Sequence, residues 1–312
     1  MADASPRTFV SGASLVWSRQ RILWLLYIAN FVLAYIATRG TNERISVILD
    51  HSLAADQLVH GFNLGAAVAL ATNPEYPFGG SATASLLSML LFTVFTIFAT
   101  GGILATYYSG QRLRAGDFFE ACGHHFWRLV RSVLYLLLVL IPILILGGVA
   151  HHVYDRIEKQ SISAMPAVHF FEAAFVILLL LLICIRVWFD MAQVIAVAED
   201  EHRMRKALRR AATLLGNNFL SLYWLYLRIS LIAWIFFAVG LHIWMTHLRP
   251  ESILTPFLLS QFLIIFWQAS RLWQRASECI WYREHQRALA VATSPYPPPP
   301  PIAQEPLAVP AG

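Results

Sequence analysis

The chain has 312 residues, of which 58% are hydrophobic and only 13% charged, and its 23 Lys and Arg against 18 Asp and Glu give a formal charge of +5. Soluble domains carry charge on about a quarter of their residues, so an ordinary soluble globular protein is excluded. The positive balance does not point to nucleic acid, because it follows the loops between apolar runs and forms no single basic face.

Six apolar runs, at residues 22–37, 86–108, 129–149, 168–188, 222–245 and 253–267, set the architecture. A bilayer core takes about 20 apolar residues of helix to cross, and most of these runs are that long or nearly so. The expected fold is all-α, a polytopic membrane bundle of six transmembrane helices with interfacial amphipathic helices. Residues 1–20 form an interfacial segment, 21–290 the membrane domain and 291–312 a Pro-rich tail. Alternate polar segments hold sixteen and five Lys and Arg, with Arg186 and Arg228 inside or beside spans. Basic loops resist translocation, so both termini are expected in the cytoplasm. Arginine outnumbers lysine 21 to 2, a usage associated with GC-rich bacteria, and the expected location is a bacterial inner membrane.

Residues 1–20 carry an apolar patch (Phe9, Val10, Leu15, Val16, Trp17) suited to the inner interface. Arg19 and Arg21 before the first run also fit the start of a signal peptide. Residues 30–39 offer no clear small-x-small cleavage site, so the run is read as a retained span. The longest outer segment, 38–85, reads as amphipathic helix from 42 to 71 and is then broken by Asn73, Pro74, Pro77, Gly79 and Gly80.

Two inner elements match at a constant offset of 93. Gly123-His124-His125-Phe126 precedes the third run and Gly216-Asn217-Asn218-Phe219 the fifth. In each, an amphipathic stretch reaches a Gly that can close a helix, and a polar pair opens the next one. The second and third spans, and the fourth and fifth, are read as two parallel hairpins. Gly101-Gly102 and Pro142 fit either the broken helices of transporters or ordinary kinks of membrane helices.

Residues 203–215 are the clearest amphipathic helix. Met204, Ala207, Leu208, Ala211 and Leu215 fall on one side, while Arg203, Arg205, Lys206, Arg209 and Arg210 cover the other. Those five bases are candidate contacts for anionic lipid headgroups, at roughly 1 kcal/mol each; a plain topology anchor explains them as well. The final run continues without a breaker to about residue 289, as a helix leaving the membrane. The tail from Ser294 onward is polyproline, either a docking peptide for a protein partner or an inert spacer.

Arg186 and Asp190 stand four apart and share a helix face. Counting about 20 residues along the fourth and fifth spans places Arg186 and Arg228 level at the inner rim, with Asp190 in reach of both. Three readings stay open: a charge cluster locking the two helices, independent snorkelling of the arginines, or a substrate or ion site. At the outer face His151, His152, Asp155, His169 and Glu172 are metal-capable types, but their spacing matches no closed zinc site. Glu120, Cys122, His124 and His125 form a similar inner set. Because Asn217 and Asn218 replace the histidines in the other copy, a structural role is expected there. The cysteines Cys122, Cys184 and Cys279 all fall at the inner side, so no disulfide is expected. Phosphate-loop, zinc-protease, nucleophile-elbow and Cys-x-x-Cys motifs are absent from the sequence, and no cofactor is expected.

The run D-M-A-Q-V-I-A-V-A-E-D-E from Asp190, A-L-R-R-A-A-T-L-L-G-N-N-F from Ala207 and F-F-E-A-C-G-H-H-F-W-R-L-V from Phe118 together resemble a widespread group of uncharacterised bacterial multi-span proteins. That group is similar in turn to the membrane domain of some glycerophosphodiester phosphodiesterases. The resemblance covers roughly residues 85–245 and implies a fold without an activity, and no phosphodiesterase catalytic domain is present. Ala211 stands where such proteins often have serine, and their arginine before the G-N element is missing. The leading expectation is a non-enzymatic scaffold or assembly factor. A transporter or permease with a site between the hairpins comes next. An enzyme acting on lipid, for which His169, Glu172 and Asp155 are the set to test, comes third.

Overall fold

The computed structural model describes residues 6–49, 79–160, 165–247 and 254–292, and throughout these it is helical apart from short turns. Among the described residues seven helices follow in order: α1 (Pro6–Ser18), α2 (Gln20–Leu49), α3 (Gly79–Ser109), α4 (Ala115–Gln160), α5 (Met165–Ala198), α6 (Met204–His247) and α7 (Leu254–Ala292). Five of them, α2 through α6, contain an apolar stretch long enough to cross a membrane. Such a stretch satisfies its backbone internally, which is what a bilayer demands of a spanning segment. From α2 to α7 the helices alternate in direction.

Packing is uneven along the bundle. Buried side chains concentrate at one end, the end of the α1–α2 elbow and of the α3–α4 and α5–α6 turns. Tyr107, Leu104, Phe189, Met191, Ile195, Trp281 and Tyr282 are all 2% exposed or less. Toward the other end α4 and α5 present Leu137, Ile141, Leu144, Phe175 and Ile177 outward. In water that surface would be a liability; against lipid tails it costs nothing. The α6–α7 hairpin stays tight there, with the Phe236 and Phe266 rings stacked at 3.7 Å and Gly240 admitting the Leu263 side chain.

Several sequence expectations change in three dimensions. Gly101 and Gly102 do not break α3. They give α4 a close approach: a Cβ on Gly102 would lie 2.6 Å from Cys122 Sγ and 2.8 Å from the Phe118 carbonyl. Pro142 lies inside a continuous α4. The two G-x-x-F elements are not equivalent. α4 runs straight through Gly123, while α6 kinks at Asn218 (φ −131°, ψ 27°), whose Nδ2 donates to the Leu214 carbonyl at 3.2 Å. A side chain competing for a helix carbonyl is a recognised cause of bending. α1 docks on α7 through Phe9 and Trp273, with ring centroids 4.5 Å apart and the indole N–H donating to the Phe9 carbonyl at 2.8 Å. Val10 and Trp17 remain exposed. α2 runs on to Leu49 rather than ending near residue 37. The rest of the expected outer amphipathic helix and the Pro-rich tail lie outside the described residues.

Candidate functional site

The packed end is held by three polar clasps. The most buried centres on Asp190 of α5. Arg275 of α7 approaches its Oδ1 at 2.9 Å and Arg186 its Oδ2 at 3.6 Å. The same Arg275 Nη2 donates to Gln193 Oε1 at 2.9 Å, and Gln193 Nε2 donates to Ser132 Oγ of α4 at 3.3 Å. Next to Arg275 in α7, Gln274 Nε2 donates to Ser230 Oγ of α6 at 2.9 Å. Glu278 lies 3.7 Å from Arg275 Nη1. The group thereby ties α4, α5, α6 and α7 together. Burial pushes the Glu278 carboxyl well above the usual carboxylate range, so Asp190 is the carboxylate that the two arginines share.

Arg228 is not part of it. Its guanidinium sits over the Trp224 ring at 5.0 Å on the exposed face of α6, as snorkelling would have it. Arg186 lies over the Tyr226 ring at 5.5 Å in addition to its contact with Asp190. Arg275 and Glu278 were missed in sequence because they fall beyond the last apolar run, on what reads as a helix departing into solvent. One side of that stretch (Leu272, Ala276, Cys279, Ile280, Trp281, Tyr282) is buried in the bundle, and that apolar periodicity was the available signal.

The second clasp joins α4 to the α5–α6 turn. Asp200 has φ 50°, a left-handed conformation that Asp tolerates better than most residues. It accepts from Arg128 Nη1 and lies 3.0 Å from His124 Nε2. Arg128 Nη2 is 3.2 Å from His202 Nε2. The arginine's hydrogen bond holds the Asp200 carboxyl down at about 2. His124, His125 and Asp200 offer ligand atoms within 4.8 Å of one another, the right chemistry for a metal. The Arg128 guanidinium already occupies the carboxylate, and its fixed positive charge opposes a dication there. These residues therefore serve as an ion-paired clasp. Glu120 and Cys122 stand apart from it.

The third clasp is Arg19, in the α1–α2 elbow, which donates to the carbonyls of Thr106, Gly110 and Gln111. Gly110, at φ +70°, closes α3 as a left-handed C-cap, and the guanidinium satisfies carbonyls that the helix end leaves open.

No protein-family model matches the chain, and neither curated proteins nor solved structures provide a match.

The α6 bases divide by partner. Lys206 meets Glu201 at 3.3 Å, Arg210 pairs with Glu199, and Arg205 donates to Tyr135 Oη at 2.9 Å. The side chains of Arg203 and Arg209 have no ion pair among the described residues. The apolar side of this stretch, Met204, Ala207, Leu208, Ala211 and Leu215, is buried throughout. At the opposite end of the bundle His151–Asp155 (3.6 Å) and His169–Glu172 (3.5 Å) form two exposed pairs, each within its own helix.

Proposed function

We propose that this chain is a non-enzymatic scaffold of the bacterial inner membrane, crossing it six times with both termini in the cytoplasm. In this reading α7 supplies the sixth crossing through residues 254–267, and the clasped end faces the cytoplasm where the basic loops lie. The observation that carries it is a filled polar centre. Both oxygens of the buried Asp190 carboxylate are taken by Arg186 and Arg275, and the cavity beside Gln274 and Glu278 measures only about 10 Å³, room for about one water. Such a rigid end with unclaimed apolar faces on α4 and α5 suits lateral assembly with another membrane protein.

A photo-crosslinker at Leu137 or Ile141 on α4, activated in native membranes, tests this. One stoichiometric adduct of constant mass, with proteoliposomes no leakier to solutes than empty vesicles, is the expected result. A transporter is the second reading, favoured by one observation: both carboxylate oxygens of buried Glu278 lack a hydrogen bond. Solute uptake abolished by Glu278→Gln, without any adduct, would put transport in place of the scaffold.

A further inference from the structure

Where the α1–α2 elbow meets the end of α3 and the start of α4, there is a cavity of about 220 Å³. Its lining is divided by chemistry. Ile22 and Leu25 of α2, with Phe118 and Phe119 of α4, make an apolar wall, and Arg19, Arg21 and Arg112 supply the charge. No Asp or Glu stands among the described residues that line it.

Each arginine has a different status. Arg19 is 9% exposed and spends its terminal nitrogens on backbone carbonyls, yet its Nε is buried with no partner. Arg21 and Arg112 are exposed, and among the described residues their side chains form no ion pair or hydrogen bond. Two uncommitted cations beside a third whose Nε is unsatisfied make a concave positive site, and charge complementarity selects an anion. The wall selects which anion. Ile22 and Leu25 begin the apolar stretch of α2, so the surface continues from the cavity along a membrane-length helix. A free phosphate gains nothing from aliphatic and aromatic walls, whereas an acyl chain does.

We propose that this cavity binds the headgroup of an anionic glycerophospholipid, with an acyl chain lying along Ile22 and Leu25 of α2. The site is separate from the basic face of α6 and does not depend on the scaffold reading.

The test uses the full-length protein in mild detergent, with phosphatidylglycerol or phosphatidylcholine added, and native mass spectrometry to count the lipid retained. Wild type holds phosphatidylglycerol in preference to phosphatidylcholine. Arg21→Gln and Arg112→Gln each weaken that retention about fivefold, and together about 25-fold; the lysine replacements keep most of it. Neither arginine holds the fold together, so the melting temperature stays at the wild-type value. Leu25→Trp, which fills the apolar wall and leaves the arginines alone, weakens retention as well. Equal retention of both lipids, or an unchanged count in the double variant, overturns the proposal. Displacement by millimolar inorganic phosphate, with Leu25→Trp silent, overturns it in favour of a free-phosphate site.

Discussion

Arg275 of α7 lies 2.9 Å from Asp190 of α5, in the place that helical spacing along α5 and α6 gives to Arg228. The exchange matters because of burial. Asp190 is 7% exposed, and a carboxylate so placed needs a partner that comes with it out of water. An arginine on the exposed face of α6 cannot provide that, while one on a helix packed against α5 can.

Asp190→Asn should therefore be among the most damaging polar substitutions in the chain. Removing one partner of a buried pair costs about 3–5 kcal/mol, here by leaving Arg275 with Gln193 and the more distant Glu278 as its partners. Arg228→Gln, which gives up only a contact with the Trp224 ring, should change stability by no more than about 1 kcal/mol. Thermal unfolding of both variants in the same lipid–detergent mixture compares them directly. Equal midpoints would dissolve the distinction between the two arginines.

How far the sequence reveals this arrangement depends on the range of each interaction. The buried side of α6 from Met204 to Leu215 was legible because a helix period is local, and each of its five positions is buried. The Arg186–Asp190 contact was legible for the same reason. Pairing between Asp190 and Arg275 depends on which helix packs against α5, and no spacing records that. The G-x-x-F elements show the opposite failure. Similar local patterns behave differently: Asn218 bonds back to the Leu214 carbonyl, while its counterpart His125 lies 3.4 Å from Arg128 Nη1.

The α3–α4 contact gives a prediction about glycines. Gly102→Ala would push a methyl group against Cys122 Sγ and the Phe118 carbonyl, and overpacking of that kind costs about 1–3 kcal/mol. Gly148→Ala meets no atom within 4 Å and should be neutral or stabilising by up to about 1 kcal/mol, since alanine is the better helix former. Melting of the two variants side by side would show it; equal losses would mean that α3 and α4 do not approach closely at Gly102.

The Asp200 clasp fixes a pH dependence. Its folded carboxyl titrates at about 2 against about 3.9 in an unfolded chain. A depressed folded value means that the contribution is fully present above the unfolded one and is lost as pH falls toward the folded one. The stability difference between wild type and Asp200→Asn should stay constant from pH 8 to pH 5 and shrink between about pH 4 and pH 2. Asp200 is largely exposed, so the difference should not exceed about 1 kcal/mol. A difference that already closes at pH 6 would show that Asp200 does not carry the effect.

The basic face of α6 should respond unevenly to neutralisation. Lys206 and Arg210 already hold Glu201 and Glu199, so a headgroup must compete with a carboxylate for each. Arg203 and Arg209 have no such partner among the described residues and are the bases most available to anionic lipid, at about 1 kcal/mol apiece near a membrane surface. Adding phosphatidylglycerol to the detergent-solubilised protein should raise its melting temperature, and Arg203→Gln with Arg209→Gln should remove more of that rise than Lys206→Gln with Arg210→Gln. Salt should weaken the effect in parallel, because exposed charges are screened over about 8 Å at physiological ionic strength. If both double variants lost the same share, the ion pairs within the turn would have no bearing on lipid contact, and the α6 bases would act only through their summed charge.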